Sequence, residues 1–125
     1  MKKLIMAIMC AVFLSGCVSP MTKSEVDAAI YEPLPHDYQE QIKEITQLRL
    51  KDPDSAKYHF FEPKKGYTAG TRHFGFVVPV GINAKNSYGG YTGYQMYYFV
   101  FYDHKFKDVT DGVKLDVVKW SDEVK

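Results

Sequence analysis

Cysteine is nearly absent from this chain. Cys10 and Cys17 are the only two, and none follows them. A domain built from the later residues therefore has no disulfide to rely on, and its stability must come from packing. Excess charge is missing as well: 16 basic and 15 acidic side chains leave a net +1, with no basic tail or run. That excludes the electrostatic footprint of a nucleic-acid binder. The longest apolar run, Leu4 to Leu14, has 11 residues, where a membrane-spanning helix needs about 20. Repeats, low-complexity stretches, a GK[ST] phosphate loop and an HExxH pair are all lacking, and the carboxylates are dispersed with no evident pair for glycoside cleavage. What the chain does have is 46% hydrophobic and 15% aromatic residues, enough for a folded core.

The N-terminus reads as an export signal. Met1-Lys2-Lys3 is positive, Leu4 to Leu14 is the apolar region, and small residues follow at Ser15 and Gly16. Leu14-Ser15-Gly16-Cys17 resembles the bacterial lipobox. The resemblance implies cleavage before Cys17 and lipidation of its thiol by acyl chains such as palmitate. An ordinary secretory signal with an incidental cysteine is the alternative. The expected organisation is a signal peptide over residues 1–16, a lipid anchor and tether over 17–35, and an α+β domain over 36–125. Removing Lys2 and Lys3 leaves 14 basic against 15 acidic side chains, so charge would not hold the domain to anionic lipid. The acyl chains would do that, and more than one is needed for stable anchoring. Val18 and Ser19 follow the cysteine in place of aspartate, which by resemblance to enteric lipoproteins implies the outer membrane, with the domain in the periplasm or at the cell surface.

Thr22-Lys23-Ser24-Glu25 has the capping-box form, and Val26, Ala29 and Ile30 share a helical face. A short helix is expected there, stopped by Pro33 and Pro35 and lying off the core, with Ile30 the one residue able to dock. Asp37, with Glu40 three residues on, is expected to cap an amphipathic helix over about 37–51 whose apolar face is Tyr38, Ile42, Ile45 and Leu48. Pro53 would end it.

Lys57 to Phe61 reads as a strand and Pro63 to Gly66 as a turn. From Arg72 to Ile82 the residues alternate: Phe74, Phe76, Val78, Val80 and Ile82 form the core face, and the other face is thin. Pro79 within it predicts a bulge or an edge. Tyr94 to Tyr102 is apolar on both faces and reads as a central strand. Asp111-Gly112 gives a hairpin signal, Val113, Leu115 and Val117 alternate, and Trp120 is expected to pin the C-terminal strand.

Two blocks, Leu50 to Tyr58 (LKDPDSAKY) and Asn83 to Tyr94 (NAKNSYGGYTGY), resemble those of a group of small bacterial and phage proteins that carry DPxSAxF and VNAKNxxGGYxG. The likeness covers residues 40–100 and implies a fold but no activity. The group commonly has Cys-Gly ahead of the asparagine block. This chain has Val80-Gly81, so no cysteine role is implied for it.

Gly81 to Tyr94 is the stretch where binding is expected. Gly89, Gly90 and Gly93 permit positive φ, and Asn83 and Asn86 can bond the backbone and act as internal struts. On one reading the stretch is simply a self-bonded turn between strands. On the other it is a binding loop of Asn83, Lys85, Asn86, Tyr88, Tyr91 and Tyr94, with tyrosines that supply contact area at low entropy cost. Ser87 and Lys85 could be assembled with a histidine into a nucleophile and base, and His59, His73 and His104 into a metal site, but neither spacing matches a catalytic or zinc motif.

The expected fold is α+β, one amphipathic helix packed on an antiparallel sheet of four or five strands. The expected function is an envelope-anchored, non-enzymatic binding or structural module with no cofactor, held to the membrane by N-terminal acyl chains and meeting an envelope protein or cell-wall partner. An inhibitor or exclusion factor acting on a cell-wall hydrolase or a phage is the second class, and a cell-wall enzyme the third.

Overall fold

The structure, a computed structural model, describes residues 21–124. The expected signal peptide and Cys17 lie outside the described residues. The described residues are α+β: three helices, α1 (Lys23–Ala28), α2 (Tyr38–Gln47) and α3 (Thr110–Lys114), with six antiparallel strands. The strands are β1 (Lys57–Phe60), β2 (Lys64–Thr68), β3 (His73–Asn83), β4 (Gln95–Tyr102), β5 (Lys105–Asp108) and β6 (Val118–Trp120). The sheet runs β5-β4-β3-β2-β6, and β1 also pairs with β3.

β3 is the axis of the sheet. Its neighbour on one side is β4, from Phe76↔Phe101 to Ile82↔Gln95. On the other side it carries two strands in succession. Lys57–Phe60 pair with Val80–Asn83, and Lys64–Thr68 pair with His73–Val77. Phe61, Glu62 and Pro63 therefore oppose only Val78 and Pro79, which is a β-bulge. The bulge expected from Pro79 is present, on the facing strand. It also shifts parity. Before the bulge, Tyr58 and Phe60 lie opposite Ile82 and Val80; beyond it, Lys65 and Tyr67 lie opposite Phe76 and Phe74.

The helix-covered face of the sheet holds the main core. Ile42 of α2 packs among Val78, Val80, Ile82 and Phe99, all buried, with Tyr38, Ile45, Leu34 and Leu50 around them. Full burial of a side chain such as Ile42 contributes about 1.5–3 kcal/mol. Thr46 is buried in the same helix, and its hydroxyl donates to the Lys43 carbonyl at 2.9 Å and meets the Tyr58 hydroxyl at 2.9 Å.

Several expectations require correction. The segment read as a tether packs on the sheet: Met21 and Val26 are buried with Tyr67, and Tyr31 stacks edge-on against Phe74 at 5.8 Å. Ile30 is 89% exposed; Tyr31 docks in its place because the extended backbone after α1 turns alternate side chains inward. The Thr22–Glu25 capping box is present in both directions. Asp37 precedes α2, but its carboxylate accepts from the Gln41 side chain at 2.9 Å and makes no bond to the helix backbone. α2 ends at Gln47, a turn early, where the Thr46 carbonyl accepts the N–H groups of Arg49 and Leu50. Leu50 thereby folds back onto the core, while Leu48 is 90% exposed.

The sheet has six strands, not four or five. Lys64 to Gly66 belong to β2, not to a turn, because β3 supplies partners to all three and β6 adds one to Gly66. The second face of β3 is thin in side chains, as expected, yet covered: Gly75, Val77, Pro79 and Gly81 are all buried. Asp111-Gly112 lies inside α3 in place of a hairpin. Asp108 organises that turn, its Oδ1 accepting the N–H of Thr110 at 2.9 Å and the Thr110 hydroxyl at 2.5 Å. Leu115 and Val117 are exposed outside any strand. Trp120 does close the C-terminal strand, with Lys64 Nζ 5.0 Å from its ring centre.

Candidate functional site

The loop between β3 and β4 is held by its own asparagines. Asn86 Oδ1 accepts the N–H groups of Tyr88 at 2.9 Å and Gly90 at 3.2 Å. The backbone adds Asn86 N–H to the Gly90 carbonyl at 2.9 Å and Gly89 N–H to the Asn86 carbonyl at 3.1 Å. Asn83 Oδ1 accepts the N–H of Gly93 at 3.1 Å, and Lys85 and Tyr91 form a β-bridge. Amide side chains serve this purpose because they bond backbone groups a few residues away that no strand partner reaches. Positive φ is used at Gly89 (+78°) and Gly93 (+93°). Gly90 does not need it, which corrects the grouping of the three glycines.

The loop is also clamped to the body of the protein, and this was not legible beforehand. Ser55 Oγ accepts the Lys85 N–H at 3.0 Å. Tyr91 donates its hydroxyl to the Ser55 carbonyl at 3.0 Å. Lys51 Nζ donates to Ser87 Oγ at 2.7 Å. Two ammonium groups lie near the Tyr91 ring, Lys57 Nζ at 4.6 Å and Lys85 Nζ at 5.6 Å from its centre. Lys51, Ser55 and Lys57 all come from the block Leu50–Tyr58. The segments Leu50–Tyr58 and Asn83–Tyr94 thus meet in space as one unit.

Of the six loop residues singled out by sequence, Asn83 and Asn86 are struts, and Lys85 and Tyr91 are joined to the Ser55 turn. Tyr94 stands apart: its ring edge would sit 3.3 Å from a Cβ at position 81, so it lies over Gly81 on the sheet. Tyr88 stands at the tip and is 96% exposed, against 43% for Tyr91. The arrangement is a stiff turn that carries an aromatic side chain into solvent. Holding a contact residue on a pinned backbone lowers the ordering cost of binding.

Chemistry at this loop has little support in the geometry. Ser87 pairs with Lys51, not with Lys85 or a histidine, and both partners are exposed. The histidines are held separately: His59 stacks edge-on to Phe61 at 4.5 Å, His73 lies parallel to Tyr102 at 4.4 Å, and His104 Nδ1 is 3.6 Å from Glu32. Among the described residues no three His, Cys, Asp or Glu side chains converge as a metal site. No helix among them is long and apolar enough to cross a membrane. No family model matches the chain, and neither a curated protein nor a solved structure is significantly similar to it.

Proposed function

We propose that this protein is a lipoprotein of the bacterial cell envelope, anchored at the outer membrane through Cys17, that acts without catalysis as a binding module. The observation that carries the reading is Tyr88, fully in solvent at the tip of a loop whose backbone is bonded internally by Asn86 and tied to the Ser55 turn. A solvated aromatic on a pre-ordered turn is the usual form of an interface anchor. The contact surface extends from Tyr88 to Tyr91 with the Lys57 and Lys85 ammonium groups near its ring, so the partner meets an aromatic and cationic patch. The test is recovery of partners with the acylated protein from native envelopes, comparing wild type with Tyr88→Ala. Loss of a specific partner in the variant supports the reading; identical recovery removes the loop from it.

A second reading, an inhibitor or exclusion factor against a cell-wall hydrolase or a phage, is favoured by the projection of Tyr88, which suits insertion into a cleft. Hydrolase inhibition by wild type and not by Tyr88→Ala separates it from the first. Anchoring is tested apart from binding: Cys17→Ser should abolish incorporation of a clickable fatty acid and leave an unprocessed precursor, and equal labelling of both proteins would remove Cys17 as the anchor.

A further inference from the structure

The sheet face opposite α2 carries a second feature, unrelated to the loop. The strand order places β5 and β6 at opposite edges, so the chain between them must pass over the sheet, and α3 contacts both β4 and β6 on the way. Beside this crossing, on the same face of the sheet, lies an open groove of about 440 Å³. Gly66 and Gly75 are direct cross-strand partners in its floor; neither carries a side chain, and Val77 Cγ2 and Val100 Cγ2 lean over them, to within 2.9 and 2.7 Å of where their Cβ atoms would stand, so the floor is low and faced with methyl groups. Val77 and Val100 complete the floor, and Val109 and Val118 come from the ends of the crossing. The lining is overwhelmingly apolar.

The rim has the opposite character. Lys105 and Lys107 lie directly opposite Tyr102 and Val100, on the same face of the sheet, about 7 Å apart along β5. Both line the groove, both are exposed, and neither is in an ion pair with a described residue. Asp103, at the β4–β5 turn, is the one carboxylate on the rim, so two ammonium groups outweigh it. A helix, about 10–12 Å across with its side chains, is too wide for a space of this size. A peptide strand would need a free sheet edge for its backbone bonds, and this groove lies on a sheet face. An alkyl chain has no backbone polar groups to satisfy, and a negative head at its end would meet Lys105 and Lys107.

We propose that this groove binds a single-chain amphiphile with an anionic head, of the class of a medium-length fatty-acid carboxylate. The alkyl chain lies over Gly66 and Gly75 against Val77 and Val100, and the head pairs with Lys105 and Lys107.

The test uses the full acylated protein held in nanodiscs of zwitterionic lipid and a dodecanoate probe bearing a diazirine and an alkyne. Labelled peptides are mapped by mass spectrometry. The expected result is label concentrated on the strands that form the floor, displaced by unlabelled dodecanoate. Label should be roughly tenfold weaker with a probe of the same chain and a trimethylammonium head, as two exposed charge pairs allow. Lys105→Glu with Lys107→Glu should reverse that preference. Val100→Phe, which places a ring over the floor at Gly75, should abolish labelling with the melting temperature retained; Thr68→Phe at the rim is the substitute if that variant unfolds. Uniform labelling over the surface, equal labelling by both head groups, or undiminished labelling in a folded groove-filled variant would overturn the proposal. Displacement by an anionic lysophospholipid as well as by dodecanoate would retain the site and identify a lipid as the source of the head group; displacement by dodecanoate alone would retain it for a free acid.

Discussion

The Pro79 carbonyl accepts the N–H of Phe61 at 2.9 Å, at the point where the strand beside β3 is bulged. The geometry explains how a proline occupies the central strand. Pro79 faces Tyr98 in the β3–β4 ladder, but the N–H and carbonyl of Tyr98 are turned the other way, to Thr110 Oγ1 and the Val109 N–H. The pair is therefore of the non-hydrogen-bonded kind, and the nitrogen of Pro79 points at the bulge, where no donor is called for. Pro79→Ala should lose only about 0.4–1 kcal/mol, through the greater freedom of the unfolded chain, with an unchanged urea m-value. Val80→Pro should cost several times more, since it removes a ladder bond to β4 and a buried side chain. Equal melting temperatures for the two variants would contradict this account of the register.

Two loop glycines should be far more sensitive than the third. Gly89→Val and Gly93→Val each force a β-branched residue to positive φ and should cost on the order of 1–3 kcal/mol by urea unfolding. Gly90→Ala has open space around its Cβ and no positive φ, so its effect should stay within about 0.5 kcal/mol. A similar loss at all three positions would mean that conformation is not what separates them.

Tyr88 and Tyr91 should separate surface from scaffold. Tyr88→Ala should leave stability within about 0.5 kcal/mol of wild type, because the side chain touches little. Tyr91→Phe removes the bond to the Ser55 carbonyl and should cost about 0.5–1.5 kcal/mol, with the loss absent when the loop is already detached by Gly93→Val. Thermal melts of the single and double variants form the cycle that decides it.

Acid should weaken the α3 end of the fold through Asp108. Burial alone would raise its pKa, but the hydroxyl and N–H of Thr110 and the Arg49 guanidinium together outweigh it and hold the carboxyl below the ordinary value of 3.8. Arg49 Nη1 lies 2.6 Å from Asp108 Oδ2. A depressed folded-state pKa gives stability that is fully present above the unfolded value and lost as pH falls through it toward the folded one. Asp108→Asn should therefore melt lower than wild type at neutral pH, and the two curves should converge below about pH 4. A gap that stays constant down to about pH 3 would exclude the carboxylate as its source.

The sequence by itself determined the elements whose pattern needs no partner to be read. Alternation marked β3 from Phe74 to Ile82, the doubly apolar run marked β4, 3.6-residue spacing marked α2, and the capping box marked α1. It also located the loop and the amides that hold it. Tertiary structure alone decided the rest. Lys64–Thr68 and Lys105–Asp108 carry too few apolar residues to announce a strand, and they pair because β3 and β4 present unsatisfied backbone groups beside them. Asp111-Gly112 fits a hairpin turn equally well by composition, and it became helical where the carboxylate of Asp108 takes the hydroxyl and N–H of Thr110. Met21, Val26 and Tyr31 look like parts of a linker until Tyr67 and Phe74 give them a surface to cover. The attachment of the loop through Ser55, Lys51 and Lys57 joins residues some thirty positions apart; hydrogen bonds over that separation leave no periodicity in a sequence, because they are made by the fold that brings their ends together.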